Sequence, residues 1–117
     1  MSDRRQRIGR WGESVAAKYL EEREYVIVAR NIRTPHGEID IVAEKDGFII
    51  FVEVKTRTSS SLGPPEISVT PRKQEHMLAA GEFYAQKNEI DHWQVDVISV
   101  EGKPNTTPQI THFENAI

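Results

Sequence analysis

Two apolar segments of the chain contain charged residues at positions where a packed sheet favours apolar side chains. The segments, 37–45 and 48–56, meet at Asp46-Gly47, a dipeptide typical of a two-residue β-hairpin loop. The charged residues in question are Glu38, Asp40, Glu53 and Lys55. Carboxylates beside a lysine are suited to binding a divalent cation and a phosphate. The hairpin is therefore the first candidate for a functional site.

The register of this hairpin predicts where the charged side chains lie. Pairing counted back from a two-residue loop places Asp40 opposite Glu53 and, further along, Glu38 opposite Lys55. Because side chains alternate between the two faces of a strand, residues two positions apart share a face. The sequence thus predicts that all four side chains converge on a single patch.

Directly opposed carboxylates need a compensating charge. Like charges facing each other on a sheet cost roughly 0.2–1 kcal/mol when exposed, and more where water is scarce. A divalent cation would reverse the sign of the interaction between Asp40 and Glu53, and Mg²⁺ is commonly bound by one or two carboxylates with water as the other ligand. Lys55 would stabilise a phosphate oxygen or carry a proton. We therefore predict a site dependent on Mg²⁺ or Mn²⁺ that cleaves phosphodiester bonds.

A structural interpretation of the same residues stays open. Alternating Glu and Lys also mark solvated strand faces, and ion pairing of Lys55 with Glu53 or Glu38 explains part of the pattern. The apolar run 48–52 argues against a solvated face, because such runs are typical of strands covered on both sides. A carboxylate beside such a run needs a partner or an ion.

Composition limits the class of protein. The 117 residues suit one domain, with 38% hydrophobic and 28% charged residues. The absence of cysteine excludes disulfides, thiolate metal sites and a cysteine nucleophile. The apolar runs are too short to span a bilayer, and no apolar run follows the N-terminal arginines as in a secretory signal. We expect a cytoplasmic protein that is not bound to a membrane.

Basic residues are clustered although the net charge is −3. Local basic patches contact nucleic-acid phosphates even on an acidic protein, whereas terminal arginine runs are also commonly solvated. The candidate nucleic-acid contacts are Arg4, Arg5, Arg7, Arg10, Arg33, Arg57, Arg72 and Lys73.

Periodicity and breakers predict the order of secondary structure. The apolar pattern predicts a helix over about 5–22, and Thr70 and Pro71 predict the start of a second helix that runs to about Lys87. The predicted strands are 24–31, 37–45, 48–56, 93–100 and 109–113, with a mobile loop over 57–66. This order, α-β-β-β-α-β-β, predicts an α/β domain whose mixed sheet carries a helix on each face. The second helix then links two parallel strands, and 109–113 is an edge strand.

Three further residues complete the candidate set. Glu13 lies at the border of the apolar arc of the first helix, where it reaches either the charged patch or solvent. Gln74 faces inward from the first turn of the second helix, where it steadies a phosphate or bonds to the backbone. Asp96 is expected to be structural, for example paired with an arginine. The histidines show no metal-ligand spacing, and His36 alone is near the patch by sequence.

The motifs resemble a known superfamily. Segments 37–40 (GEID) and 53–55 (EVK) are similar to the PD-(D/E)xK signature of the restriction-endonuclease-like proteins. The chain as a whole resembles the YraN-like bacterial family, through Gly12-Glu13, Arg30-Asn31, 37–41, 51–57, Thr70-Pro71, Lys73-Gln74 and Asp96.

This resemblance implies a restriction-endonuclease-like core related to Holliday-junction resolvases, with DNA as the partner. It implies that Asp40 and Glu53 bind the metal together with Glu13, the acid of the first helix. It also implies that Lys55 is the catalytic lysine and Gln74 a supporting residue. Related resolvases act as homodimers, although this sequence has no clear self-association stripe. Gln94 stands where the family often has arginine, which weakens the expectation that this neighbour holds Asp96. The alternative is a non-catalytic nucleic-acid-binding or protein-interaction module that retains the fold.

Overall fold

The computed structural model describes residues 3–58 and 70–117 of the chain. The predicted order α-β-β-β-α-β-β is confirmed. The elements are α1 (Asp3–Glu22), β1 (Val26–Thr34), β2 (Gly37–Lys45), β3 (Phe48–Arg57), α2 (Pro71–Lys87), β4 (Trp93–Glu101) and β5 (Gln109–Phe113).

The five strands form one mixed sheet in the order β1-β2-β3-β4-β5. Neighbouring strands are antiparallel except β3 and β4, which are parallel and are connected in sequence through α2. The predicted helical connection between parallel strands is therefore confirmed, as is the position of β5 at an edge of the sheet. The candidate residues of β2 and β3 lie near the middle of the sheet.

Each face of the sheet is covered by one helix. On one face α1 packs through Ala16 and Leu20, and on the other α2 packs through Ala80 and Ala85. Alternation along the strands supplies both cores: Ile41, Val52 and Ile98 face α1, whereas Val42, Phe51 and Val95 face α2. Full burial of each large apolar side chain contributes about 1.5–3 kcal/mol. The strands are thereby held rigidly between two layers.

Gly12 allows α1 to lie directly against β3. A Cβ atom at this position would overlap the hydroxyl of Thr56. The close approach brings the next residue of the helix, Glu13, to the cleft that Asp40 and Glu53 also line.

Helix α2 begins where the sequence predicts. Thr70 Oγ1 accepts a hydrogen bond from Lys73 N at 3.2 Å, and Pro71 occupies the first turn. The apolar residues of α2 differ in burial: Leu78 is 39% exposed, whereas Ala85 is buried. Leu78 lies about 100° around the helix from Met77, which places it at the margin of the buried face.

Two other segments have boundaries that differ from the predicted ones. Strand β1 ends at Thr34 rather than near Asn31, because pairing with β2 continues to Gly37. Arg57, assigned above to a loop, belongs to β3 and pairs in register with Glu101. Residues 59–66 of the predicted loop lie outside the described residues.

Candidate functional site

The hairpin register is confirmed only for its inner part. Pairing runs from Lys45 and Phe48 to Ile41 and Val52 and then ends. Beyond this point Ile39 joins the α2-side core with Val42, although strict alternation would place it with Ile41. The regular pleat of β2 is thus broken at Asp40, so the expected facing pairs are not partners in the ladder.

The side chain of Asp40 forms a hydrogen bond with β3 where the backbone pairing of β2 and β3 has ended. Its Oδ2 accepts a hydrogen bond from Val54 N at 2.8 Å, which satisfies a strand amide beyond the last ladder pair. Burial raises the pKa of Asp40 to about 7, the negative charge of Glu53 adds to the rise, and the bond from Val54 opposes it. The structure therefore places a desolvated carboxylate beside a second acidic side chain.

Asp40 opens into a cleft of about 680 Å³ beside the N-terminal half of α1, called here the α1 cleft. Glu13 and Glu53 line the same cleft, so three of the predicted acidic residues are brought together. The charged side chains that line it are Arg4, Arg5, Glu13, Asp40, Glu53 and Arg57. Acidic groups and arginines thus share one open surface.

Glu53 is also exposed to the opposite side of the sheet. There a smaller space of about 100 Å³, called here the α2 pocket, is lined by His36, Glu38, Glu53, Lys73 and His76, among others. Glu53 Oε2 lies 3.4 Å from Lys73 Nζ. Glu38 lines the α2 pocket and Asp40 the α1 cleft, but the negative charge of Glu38 also helps to raise the pKa of Asp40. A single patch that includes Glu38 therefore stays a prediction.

Glu13 faces the α1 cleft rather than bulk solvent. Its side chain is 17% exposed and lies 3.9 Å from Arg30 Nη2. Burial raises the pKa of Glu13, while Arg30 and a hydrogen bond from Asn31 act in the opposite direction. The sequence left open whether Glu13 reaches the charged patch or solvent. The close packing of α1 at Gly12 directs it to the cleft.

The donor chemistry fits a divalent cation held by two carboxylates. Asp40 is desolvated and repelled by Glu53, so a cation between them would relieve both effects. Within residues 3–58 and 70–117, no group of three or more His, Asp or Glu side chains is arranged to hold a metal ion. Glu13, Asp40 and Glu53 line one cleft without closing on one point. Two carboxylates with water in the remaining positions are usual for Mg²⁺.

The predicted phosphate contacts divide into two groups. Arg4, Arg5 and Arg57 line the α1 cleft, and Arg57 Nε is held 3.0 Å from Glu101 Oε2. The others lie elsewhere: Arg7, Arg10 and Arg72 are exposed on the helices, Arg33 is 92% exposed beside Glu38, and Lys73 contacts Glu53.

Lys55 is positioned by β3 and Gln74 by the first turn of α2. Lys55 is half-buried, two residues beyond Glu53 on β3, and pairs in register with Ser99 of β4. Alternation gives it the same face as Glu53. Gln74 is half-buried in the first turn of α2, next in sequence to Lys73.

Asp96 is structural, but its partners differ from those expected. It is fully buried, and its Oδ2 lies 2.7 Å from His112 Nε2. Its Oδ1 accepts hydrogen bonds from Gln94 Nε2 at 2.9 Å and from Asn115 N at 2.8 Å. A histidine of β5 replaces the expected arginine, and Gln94 does hold Asp96, contrary to the expectation above.

Three residues near the sites were missed from the sequence. His76 lines the α2 pocket together with His36, Glu101 forms an ion pair with Arg57, and His112 contacts Asp96. His76 lies on α2 one turn after Lys73, a spacing that signals a shared helix face. The contacts of Glu101 and His112 depend on strand pairing that no local motif predicts.

The fold and the cleft define a small α/β protein with an acidic cleft between the first helix and a mixed sheet. Residues 12–100 match the family described as "Uncharacterised protein family UPF0102", and the chain belongs to this family. It is 45% identical over 118 residues to a UPF0102 protein of Geobacter metallireducens, covering 99% of this chain and 96% of the relative. It is 38% identical over 120 residues to one of Dehalococcoides mccartyi, covering 100% and 98%.

A third relative, a UPF0102 protein of Syntrophotalea carbinolica, is 42% identical over 118 residues, which cover 99% of this chain and 95% of the relative. Family membership therefore applies to nearly the whole length of the chain. Neither α1 nor α2, the two helices in the described part of the chain, is long and apolar enough to cross a membrane.

Proposed function

We propose that the protein is a nuclease of the restriction-endonuclease-like superfamily that uses Mg²⁺ or Mn²⁺ to hydrolyse phosphodiester bonds in DNA. The observation that carries this proposal is the half-buried carboxylate of Asp40, with its raised pKa, next to Glu53 in a cleft that arginines also line. A pair of acids that repel each other is a poor structural element and a good cation site. The PD-(D/E)xK-like motifs support the same reaction class.

Each side chain has a role that follows from its place. Asp40 and Glu53 would hold the cation, which supplies an activated water and neutralises charge on the phosphate. Arg57, fixed by Glu101, and the arginines at the start of α1 bind the phosphates of the substrate. Lys55 is the proposed stabiliser of the reacting phosphate.

The remaining candidates act around this centre. Glu13 carries negative charge into the α1 cleft opposite Arg30, and Gln74 is proposed to orient a phosphate or a water from the start of α2. Glu38 lines the α2 pocket on the other side of Glu53 and adds negative charge near the cation.

The test is cleavage of linear, flapped and branched DNA with Mg²⁺ or Mn²⁺. Asp40→Asn, Glu53→Gln and Lys55→Ala are each expected to reduce the rate by at least about 10²-fold, because each removes a group acting at the phosphate. Glu44→Gln, at an exposed acid of the same strand β2, is the matched control and should leave the rate unchanged. Cleavage by the three site variants at the rate of the wild type would refute the assignment.

A second candidate function is a non-catalytic nucleic-acid-binding or protein-interaction module. It is favoured by the Lys73–Glu53 ion pair, which gives Glu53 a structural partner that needs no metal. Calorimetric titration with Mn²⁺ separates the two, because the nuclease takes up the ion through Asp40 and Glu53. Binding of DNA without Mn²⁺ uptake and without cleavage would favour the module.

A further inference from the structure

Lys73 is held in place for contact with Glu53 by the start of α2. Thr70 caps the helix through the backbone N–H of Lys73, so the lysine projects from a turn of fixed geometry. Its Nζ lies 3.4 Å from Glu53 Oε2. The lysine approaches from the α2 side of the sheet, whereas Asp40 lies on the side of the α1 cleft.

The ammonium group of Lys73 partly neutralises Glu53, as a bound metal ion would. It is a compact positive charge against one carboxylate oxygen of the proposed metal pair. A carboxylate oxygen that faces an ammonium group is a weaker ligand for a second cation, because the two positive charges repel each other. The contact is also easy to break, because the side chain of Lys73 is 49% exposed and has a flexible stem.

We propose that Lys73 competes with the divalent cation for Glu53 and, once displaced, binds a phosphate of the nucleic acid. The inference rests on the proposed function and deepens it by linking metal binding to substrate binding. The released ammonium group stands at the N-terminal turn of α2, where backbone N–H groups and the helix dipole also favour an anion. Metal and nucleic acid therefore strengthen each other's binding through this side chain, and the linkage is reciprocal.

The first experiment is calorimetric titration of the metal-free protein with Mn²⁺ alone. Lys73→Met is expected to bind Mn²⁺ about two- to fivefold more tightly than the wild type, the range that corresponds to loss of a half-exposed ion pair. Arg72→Met is the matched control, since it removes an exposed positive charge from the same helical turn without touching Glu53. Unchanged or weaker Mn²⁺ binding by Lys73→Met would overturn the inference.

The second experiment measures binding of a phosphorothioate-protected DNA duplex with and without Mn²⁺, by fluorescence anisotropy. In the wild type Mn²⁺ should tighten DNA binding, and in Lys73→Met this enhancement should be smaller by at least about threefold. The Arg72→Met control should weaken DNA binding equally with and without the ion. An enhancement in Lys73→Met equal to that of the wild type would contradict release of the lysine.

The outcomes separate this inference from the proposed function. If the wild type binds Mn²⁺ and Glu53→Gln does not, the metal site stands, and the behaviour of Lys73→Met alone decides whether the lysine competes. If wild type and Glu53→Gln both fail to bind Mn²⁺, the metal site and the competition are overturned together. Thermal unfolding of each variant confirms that the comparison is made between folded proteins.

Discussion

Asp40 and Asp96 are both aspartates set into strands of the same sheet, and their surroundings are opposite. Asp96 is fully buried and has three partners, from Gln94, His112 and the backbone of Asn115. Asp40 accepts one described hydrogen bond, from Val54, and the charges that raise its pKa are all acidic. A carboxylate with a full set of partners needs no further role, whereas one whose charge is left uncompensated is a candidate for a functional site.

The partners of Asp96 hold the end of the chain in place. His112 of β5 contacts Asp96 through Nε2, and its Nδ1 lies 3.3 Å from the hydroxyl of Tyr19 on α1. Ala116 N donates to Val95 O at 2.8 Å, next to the bond from Asn115 to Asp96. One carboxylate thus connects β4, β5, α1 and the residues that follow β5.

The largest expected effect comes from breaking the compensated site. Asp96→Ala should lower the free energy of unfolding by about 3–5 kcal/mol, because it leaves His112 and the Asn115 amide without their buried acceptor. Urea unfolding at pH 7 measures the loss. The control is Asp91→Asn, at an exposed aspartate, which should change stability by less than about 0.5 kcal/mol. A loss from Asp96→Ala as small as that of the control would show that the network adds little.

Replacement of the uncompensated carboxylate, Asp40, should raise the free energy of unfolding rather than lower it. Below its ordinary pKa of 3.8, Asp40 is protonated in both folded and unfolded protein; between that value and about 7 only the folded protein keeps the proton. Stability is therefore lost as pH rises through this range. Asp40→Asn avoids the loss, and its amide oxygen can still accept from Val54 N.

In urea unfolding with EDTA, the stability of Asp40→Asn relative to the wild type should rise by about 2 kcal/mol between pH 5.5 and 8.5. When Mn²⁺ replaces EDTA in the buffer, it should stabilise the wild type at pH 8.5 and not this variant. A stability difference that is the same at both pH values would show that Asp40 is not desolvated as described.

The smallest effect is expected from a change at Glu38. Glu38 is 44% exposed and lies 3.9 Å from Arg33, which is 92% exposed. Glu38→Gln should change the free energy of unfolding by less than about 0.5 kcal/mol, since exposed ion pairs contribute little. The same urea titration measures it. A change above about 1 kcal/mol would mean that Glu38 is coupled to Asp40 more strongly than its exposure indicates.

Local signals were enough to predict the elements and part of the site. The Asp46-Gly47 loop predicts the inner hairpin register, Thr70 and Pro71 predict the start of α2, and the apolar period of α1 predicts its buried face. These features are determined by a few adjacent residues, because turn geometry, helix capping and side-chain periodicity act over short distances. The selection of Glu13, Asp40 and Glu53 also came from residue type and spacing, and all three line the α1 cleft.

Only the tertiary structure decided how these residues are compensated. Three contacts between separate segments decide this: Asp40 with Val54, Glu53 with Lys73, and Asp96 with His112. The strength of each interaction depends on burial and on neighbouring charges, which are created when helices pack on both faces of the sheet. The sequence by itself therefore determined which acids are available, and the packing of α1, α2 and β5 determined which of them stays uncompensated.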